Sequence, residues 1–303
     1  MPNFSSNEVQ LLTAVIGGVA VIIGALITVV LQRSHESHAG PIHLAPAAVP
    51  VPEKQNRLET VLSTHAIRVG AVKHPPLSNF EWENGIPRFG GWYVKLCEIV
   101  CKENGLHPYF IPVEWGDIPD RAFDEMGLDI VLSVFATGQR SEKADFTSCF
   151  HSVDVTGITR ADNARVRNIA DLAKEDVRIV VTRGEAGYEY VFNDLRTPKH
   201  RVIVVDTFDI TEMLDYVLDG KVDVAICDKV SCYDYAQAHP EIQTVFFEEH
   251  IYTCRNCIMV PKNEPQLKEW VQREFGKARK VREIDDAEQV ILSDPRKLIR
   301  RYA

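Results

Sequence analysis

From Ile67 onward the chain alternates short apolar runs with amphipathic stretches, and this alternation restricts the fold more than any other feature. Ile67–Val72 (IRVGAV) is an apolar run ended by the turn chemistry of His74, Pro75 and Pro76. Trp92–Asn104 has a helical period. Leu96, Ile99 and Val100 share a face, Glu98 and Lys102 pair four residues apart, and Gly105 stops the helix. Tyr109–Val113 reads as a strand, Ile118–Met126 as a short helix and Asp129–Val134 (DIVLSV) as a buried strand. A second set follows: strand Val177–Thr182, a helix from Gly184 through Leu195, strand Arg201–Val205, helix Ile210–Leu218, strand Val222–Cys227 and helix Lys229–Ala238. Strand Cys257–Val260, helix Gln266–Ala278 and two short helices complete the chain. Such alternation implies an α/β protein with mainly parallel sheets covered by helices. Two sets of similar length, joined near residues 150–158, predict two lobes with a cleft, and ligands of such sheets sit at the carboxyl ends of strands.

The N-terminal part is of another kind. Leu11–Leu31 is an uncharged run of 21 residues, long enough as a helix to span roughly 31 Å, one hydrocarbon core. No Lys or Arg precedes it, as one would in a signal peptide, so it reads as an uncleaved transmembrane anchor. Residues 32–56, rich in Ala and Pro, read as a semi-extended tether in which His35, His38 and His43 are solvated. Arg33 after the run favours a cytoplasmic C-terminal part by the positive-inside rule.

Composition narrows the functions. Of 303 residues 45% are hydrophobic and 25% charged, with a net charge of −9, and no basic block is present to neutralise phosphates, so nucleic acid is excluded as a partner. No GxxxxGK[ST], GxSxG, HExxH or GxGxxG motif occurs. The seven cysteines, an odd number, leave at least one unpaired. Cys97 and Cys101 with Cys254 and Cys257 would make a metal site only if the fold joined the two pairs; buried thiols, or a disulfide among the seven, are the readings set beside it. Neither metal nor cofactor is expected.

Six segments together resemble the type II periplasmic solute-binding proteins, family 3, of polar amino-acid uptake systems, over about Glu59–Phe275. LETVLSTHAIRVGAV is similar to the family's entry helix and first strand, and PPLSNFEWENGIPRFGGWYVKLCEIVCKENG to its hairpin and following helix. VEWGDIPDRAFDEMGLDIVLS, TGQRSEKADFTSCF, IADLAKEDVRIVVTRGEAGYEY and DGKVDVAICD resemble later family segments in the family's order. After the anchor at 1–31 and the tether at 32–56, the resemblance implies a solute-binding domain at 57–303, with one lobe at 57–153 and 251–303 and the other at 154–250.

Carried over residue by residue, it implies a site. Arg140 stands where the family's arginine clamps the ligand carboxylate, as a planar guanidinium does bidentately. Asp228 stands where the ligand ammonium is received, and is equally placed to cap the helix that follows. Trp115 and His74 fall at or near aromatic positions that cover the ligand, Ser133 closes DIVLS, and the Gly184–Glu185–Ala186 turn opens a helix whose N–H groups could meet an anion. Departures are explicit: Glu185–Ala186 replaces Thr or Ser, Phe135 replaces a polar residue, and Tyr93 and Lys95 replace acids. Glu185 would repel a carboxylate arriving beside it.

The expected function is a membrane-tethered extracytoplasmic receptor that closes on a small amino-acid-like solute, with an ABC-transporter permease or a membrane sensor as partner. The protein is not expected to be an enzyme. The alternatives are a prephenate/arogenate-type dehydratase on the same fold, with Glu185 or Asp228 as general acid, and a non-binding interaction domain with Phe135 filling the cleft.

Overall fold

Two long strands carry the chain across the molecule, and the remaining elements are arranged around them. The structure, a computed structural model, describes residues 56–302. The Leu11–Leu31 run and nearly all of the tether lie outside the described residues, and among the described residues no helix is long and apolar enough to cross a membrane.

Helix α1 (Arg57–Thr64) begins at Asn56, whose side chain accepts from the Glu59 N–H. The first set continues with β1 (Ala66–Ala71), the hairpin β2 (Asn79–Glu83) and β3 (Ile86–Gly90), α2 (Trp92–Glu103), β4 (His107–Pro112), α3 (Asp120–Asp124), β5 (Ile130–Phe135) and α4 (Gly138–Lys143). Strand β6 (Ala144–Arg160) then leads to β7 (Ile179–Thr182), α5 (Ala186–Glu189), β8 (Val202–Val205), α6 (Ile210–Leu218), β9 (Val224–Asp228), α7 (Lys229–Ala238) and β10 (Ile242–Val245). The chain returns on β11 (Tyr252–Pro261) and ends with α8 (Pro265–Ala278), α9 (Arg282–Leu292) and β12 (Ile299–Arg301).

Apart from the hairpin, the strands form one sheet in the order β4-β1-β5-β11-β6-β9-β7-β8, with β10 and β12 also paired to β6. Parallel pairing is confined to the two wings, β1 with β4 and β5, and β7 with β8 and β9. In the middle β6 is antiparallel to β11, β9, β10 and β12, and β11 to β5. The expectation of mainly parallel sheets is thereby corrected to a mixed sheet in a two-lobed α/β fold. A chain that enters the second wing on one strand must leave on another, and neighbours running out and back are antiparallel. Residues 144–155 of β6 pair with β11 and 155–160 with β9 and β10, so one strand serves both wings. Gly157 permits this, because a Cβ there would stand 2.8 Å from the Ala225 carbonyl oxygen.

Helices α6 and α7 have the expected limits. The helix expected from Gly184 through Leu195 is instead one turn, Ala186–Glu189, running into a π-helical turn at Tyr190–Asp194. Of the two short C-terminal helices expected, one forms; the last residues pair Ile299 with Val153 and cover an open edge of β6.

Strands β5, β7 and β9 are buried along their whole length, as expected of strands covered on both faces. Leu267, Trp270, Val271, Phe275 and Ala278 recur at helical spacing on α8 and pack with Leu96, Cys97 and Val100 of α2. Met213, Leu214 and Val217 of α6 cover Val180 and Ala225 in the second wing. The C-terminal elements are tied to β6 by Glu288, which accepts from Arg279 at 2.6 Å and Arg301 at 3.0 Å and lies 3.1 Å from His151 Nε2.

Cys149 on β6 and Cys257 on β11 form a disulfide, while Cys97, Cys101, Cys227, Cys232 and Cys254 are free and buried. With Cys257 so used, the cysteine tetrad weighed from the sequence does not assemble. Among the described residues no group of three or more His, Cys, Asp or Glu side chains could hold a metal ion. The bond links residues 108 apart, so its loss should cost about 2–5 kcal/mol, mainly through the unfolded chain. Cys149→Ser is expected to lower the urea midpoint and to abolish the effect of reductant on it. Identical midpoints for the wild type with and without reductant would exclude a stabilising bond.

Candidate functional site

The carboxyl ends of β1, β5, β7 and β9 meet at one place, and each delivers a polar side chain there. His74 follows β1; its Nδ1 lies 3.2 Å from Asn256 Nδ2 and 3.3 Å from Ser133 Oγ, and its Nε2 lies 3.8 Å from Asp228 Oδ1. Burial holds the imidazole below its ordinary pKa, against the pull of Asp228, so the ring is neutral near pH 7. With the Asn256 amide nitrogen assigned as donor to Nδ1, the single ring proton sits on Nε2 and faces Asp228. Trp115 and Phe135 stack with centroids 6.3 Å apart, and His74 meets them edge-on at 6.1 and 5.1 Å.

Arg140 lies on α4, which is capped by Thr137. Its Nη1 donates to the Phe135 carbonyl at 2.8 Å and its Nη2 to the Gly184 carbonyl, and its Cζ stands 5.6 Å from the Trp115 ring centroid. Its Nε is 4.0 Å from Glu189 Oε1, which also accepts from Thr137 Oγ1 at 2.6 Å. Asp228 caps α7, accepting from the Ser231 N–H at 2.9 Å and the Ser231 hydroxyl at 2.6 Å. Glu185 Oε2 accepts from the Gly187 N–H at 2.6 Å. Burial, followed by the nearby Asp228 carboxylate, pushes the Glu185 carboxyl up to about 8.

Gly184 has φ +74°, and a Cβ there would stand 2.2 Å from the Trp115 carbonyl oxygen, so only glycine lets the turn after β7 lie against the turn after β4. Further ties hold the wings together. Tyr252 donates to the Ala186 carbonyl at 2.6 Å, and Lys73 Nζ is 2.6 Å from Asp209.

His74, Trp115, Ser133, Phe135, Arg140, Gly184, Glu185, Ala186 and Asp228, all singled out in the sequence, are brought together here. Arg140 is already engaged in this structure, with both terminal nitrogens donating to main-chain carbonyls and Nε without a partner. One expectation is corrected. The helix after Gly184 offers no anion site, because it has a single turn and the Glu185 carboxyl takes the Gly187 N–H itself.

Sequence reasoning missed Asn256, Glu189 and Thr182. Asn256 is fully buried at a register shift of β11 on β6, and the Tyr93 hydroxyl donates to its carbonyl at 2.8 Å. Its signal was an amide inside the apolar stretch TCRNCIMV, and that of Glu189 was its place four residues after Glu185. Six buried polar atoms in this cluster have no hydrogen-bond partner: His74 Nε2, Trp115 Nε1, Arg140 Nε, Thr182 Oγ1, Glu185 Oε1 and Asn256 Oδ1. Seven more such atoms lie elsewhere among the described residues, and buried polar groups are usually paired with protein or ordered water, so the gathering of six here makes this cluster the candidate place for a polar molecule or for ordered water. Beside it opens a cavity of about 750 Å³ bordered by Thr137, Glu142, Glu189, Asp194 and Tyr252, among others.

Comparison with known proteins bears on the family and the fold. The profile of the bacterial extracellular solute-binding proteins, family 3, matches residues 67–290. A cyclohexadienyl dehydratase of Pseudomonas aeruginosa is 21% identical over 221 residues, 72% of this chain and 80% of that enzyme. A histidine-bound substrate-binding protein of an ABC uptake transporter from Streptococcus pneumoniae superposes with TM-score 0.66 at 15% identity, over 79% of this chain and 97% of that one. An ancestral amino-acid-binding protein, a precursor of cyclohexadienyl dehydratase, superposes with TM-score 0.62 at 22% identity, over 78% of this chain and 98% of that one. At these identities the two structures share the fold.

The Glu185 carboxyl also sets a pH dependence of stability. Folded, it keeps its proton up to about pH 8, whereas its ordinary value is 4.5. Between these values the folded state binds the extra proton, so stability falls as pH rises through the window, by at most about 1.4 kcal/mol per unit. Glu185→Gln keeps the shape and removes this slope. Thermal melts from pH 5 to 8 should show the variant gaining several degrees on the wild type as pH rises; parallel profiles would refute the assignment.

Proposed function

The chain belongs to family 3 of the bacterial extracellular solute-binding proteins, and from that premise we propose that its cleft closes on a small amino-acid-like solute for ABC-type uptake or sensing. The observation that carries this reading is the set of six unpartnered, buried polar atoms gathered from both wings around the carboxyl ends of β1, β5 and β7. Three are on nitrogen and three on oxygen, as a molecule with donors and acceptors requires. In this reading residues 57–153 with 251–303 form one lobe, 154–250 the other, and they swing about β6 and β11. Opening withdraws the Gly184 carbonyl from Arg140 Nη2, and the freed guanidinium then takes the ligand carboxylate in its place. Asp228 takes the ammonium, and Trp115 with Phe135 covers the rest. Closure is favoured because the solute touches both lobes only when they are shut. The domain works outside the cytoplasm, with a permease or membrane sensor as partner, and the Leu11–Leu31 run tethers it to the membrane.

A second reading has one observation in its favour: Glu185 is a buried carboxyl that holds its proton at neutral pH, the form a general acid needs. In a dehydratase it would protonate the leaving hydroxyl of a prephenate-like substrate as water and carbon dioxide depart. The distant similarity to a cyclohexadienyl dehydratase is compatible with this.

Titration calorimetry with the proteinogenic amino acids tests the first reading. At least one should bind, and Arg140→Lys and Asp228→Asn should each weaken it by about 10–100-fold, the loss of a charge-assisted contact; unchanged affinity in both variants would remove the site. Gly184→Ala should weaken binding as well, with the ligand-induced compaction seen by small-angle scattering lost, because the added methyl group blocks closure. Incubation with prephenate decides the second reading: phenylpyruvate formation lost in Glu185→Gln would establish it, and no product would dismiss it.

A further inference from the structure

The charges of the cleft are unevenly provided for. Arg140 has Glu189 at 4.0 Å and two main-chain carbonyls as partners. Glu185 is 1% exposed, its Oε1 has no partner, and it makes no ion pair among the described residues. Asp228 is 3% exposed, and the only ring nitrogen near it belongs to the neutral His74. Asp228 borders, through His74, an aromatic cluster made by Trp115, Phe135 and His74, and Glu185 lies close enough to Asp228 to feel its charge. Carboxylates beside aromatic faces are the chemistry of cation recognition. An anionic group brought to Glu185 would meet the repulsion of the nearby Asp228 carboxylate and would keep Glu185 from ionising.

We propose that Glu185 is the specificity-determining residue of the cleft and selects solutes that bring a positively charged nitrogen, an ammonium or a guanidinium, to its free Oε1. This rests on the receptor reading and adds to it the charge of the solute. By the family resemblance the turn Glu185 occupies has N–H groups that could meet an anion, and here the Glu185 carboxyl itself accepts from the Gly187 N–H.

Binding then displaces a proton. The groups facing Glu185 are Asp228 and Cys227 from β9, Arg140 from α4, and Tyr252 and Cys254 from β11. Burial holds both thiols and the phenol protonated, so Asp228 and Arg140 are the charged neighbours. When a cationic nitrogen docks on Oε1, the neutral carboxyl becomes a carboxylate paired with it. One proton leaves for solvent, and the total charge is conserved.

Calorimetry on the full chain at pH 7 tests this with L-arginine, agmatine, L-glutamine and L-glutamate, each in phosphate and in Tris, whose ionisation enthalpies differ. The expected result is binding of a cationic probe at least about tenfold tighter than glutamine or glutamate, as one added charge contact gives, with close to one proton released per site. In Glu185→Gln the preference should shrink to about threefold or less and the proton release should vanish. Arginine binding without agmatine would mean the cation must also carry a carboxylate, and agmatine binding would mean it need not; either supports the assignment. Glutamine or glutamate binding as tightly as arginine, or a cation bound by the wild type with no proton released, would overturn it and leave the receptor reading standing. No binding by any probe, and by no amino acid in the wider panel, would overturn both. Proton release is read on the wild type, so the assignment stays testable should the variant fold poorly.

Discussion

A guanidinium out of water needs acceptors for its donors, and the two terminal nitrogens of Arg140 find them in carbonyl oxygens from the ends of two different wings, while Nε is left without a partner. Phe135 belongs to the end of β5 and Gly184 to the turn after β7. This requirement links the wings at the place where solute would lie. It also explains why the Gly184 turn has the shape it does. A residue with a Cβ could not bring its carbonyl to Arg140 while lying against the Trp115 backbone. The same contact is replaceable, since a carboxylate is a better acceptor for a guanidinium than an amide carbonyl.

The crossing strands give such an exchange a mechanical basis. β6 pairs with β11 along its first part and with β9 and β10 along its last, so the wings share backbone at the sheet centre while their outer strands are independent. The Cys149–Cys257 bond joins β6 to β11 in this shared region. Contacts such as Lys73–Asp209 and Thr137–Glu189 are single polar ties between side chains of different wings, which separate at small cost compared with the apolar packing inside each wing.

The acids of the cleft show how one residue type takes different roles by surroundings alone. Asp228 is held by the backbone and hydroxyl of Ser231, Glu189 by Thr137 and Arg140, and Glu185 by one N–H with its other oxygen unmatched. Only the last has lost hydration without full replacement, which is why burial dominates its titration. The same feature makes it the group most responsive to an arriving charge.

Local order was legible in the sequence wherever it is encoded by period and punctuation. Helices Ile210–Leu218 and Lys229–Ala238, the buried run of β5 and the capping role open to Asp228 follow from neighbouring residues alone. The cluster of nine site residues was reached through family resemblance, because nothing in their spacing shows that segments 154 positions apart, such as His74 and Asp228, come within 3.8 Å. Asn256 and Glu189 were missed for the same reason: their significance lies in partners remote in the chain. Strand direction at the sheet centre, the use of Arg140 donors by carbonyls, the partner of Cys149 and the isolation of Glu185 Oε1 were decided by tertiary structure. Burial and direction are properties of packed neighbours, and a linear pattern records only which residues are able to pack.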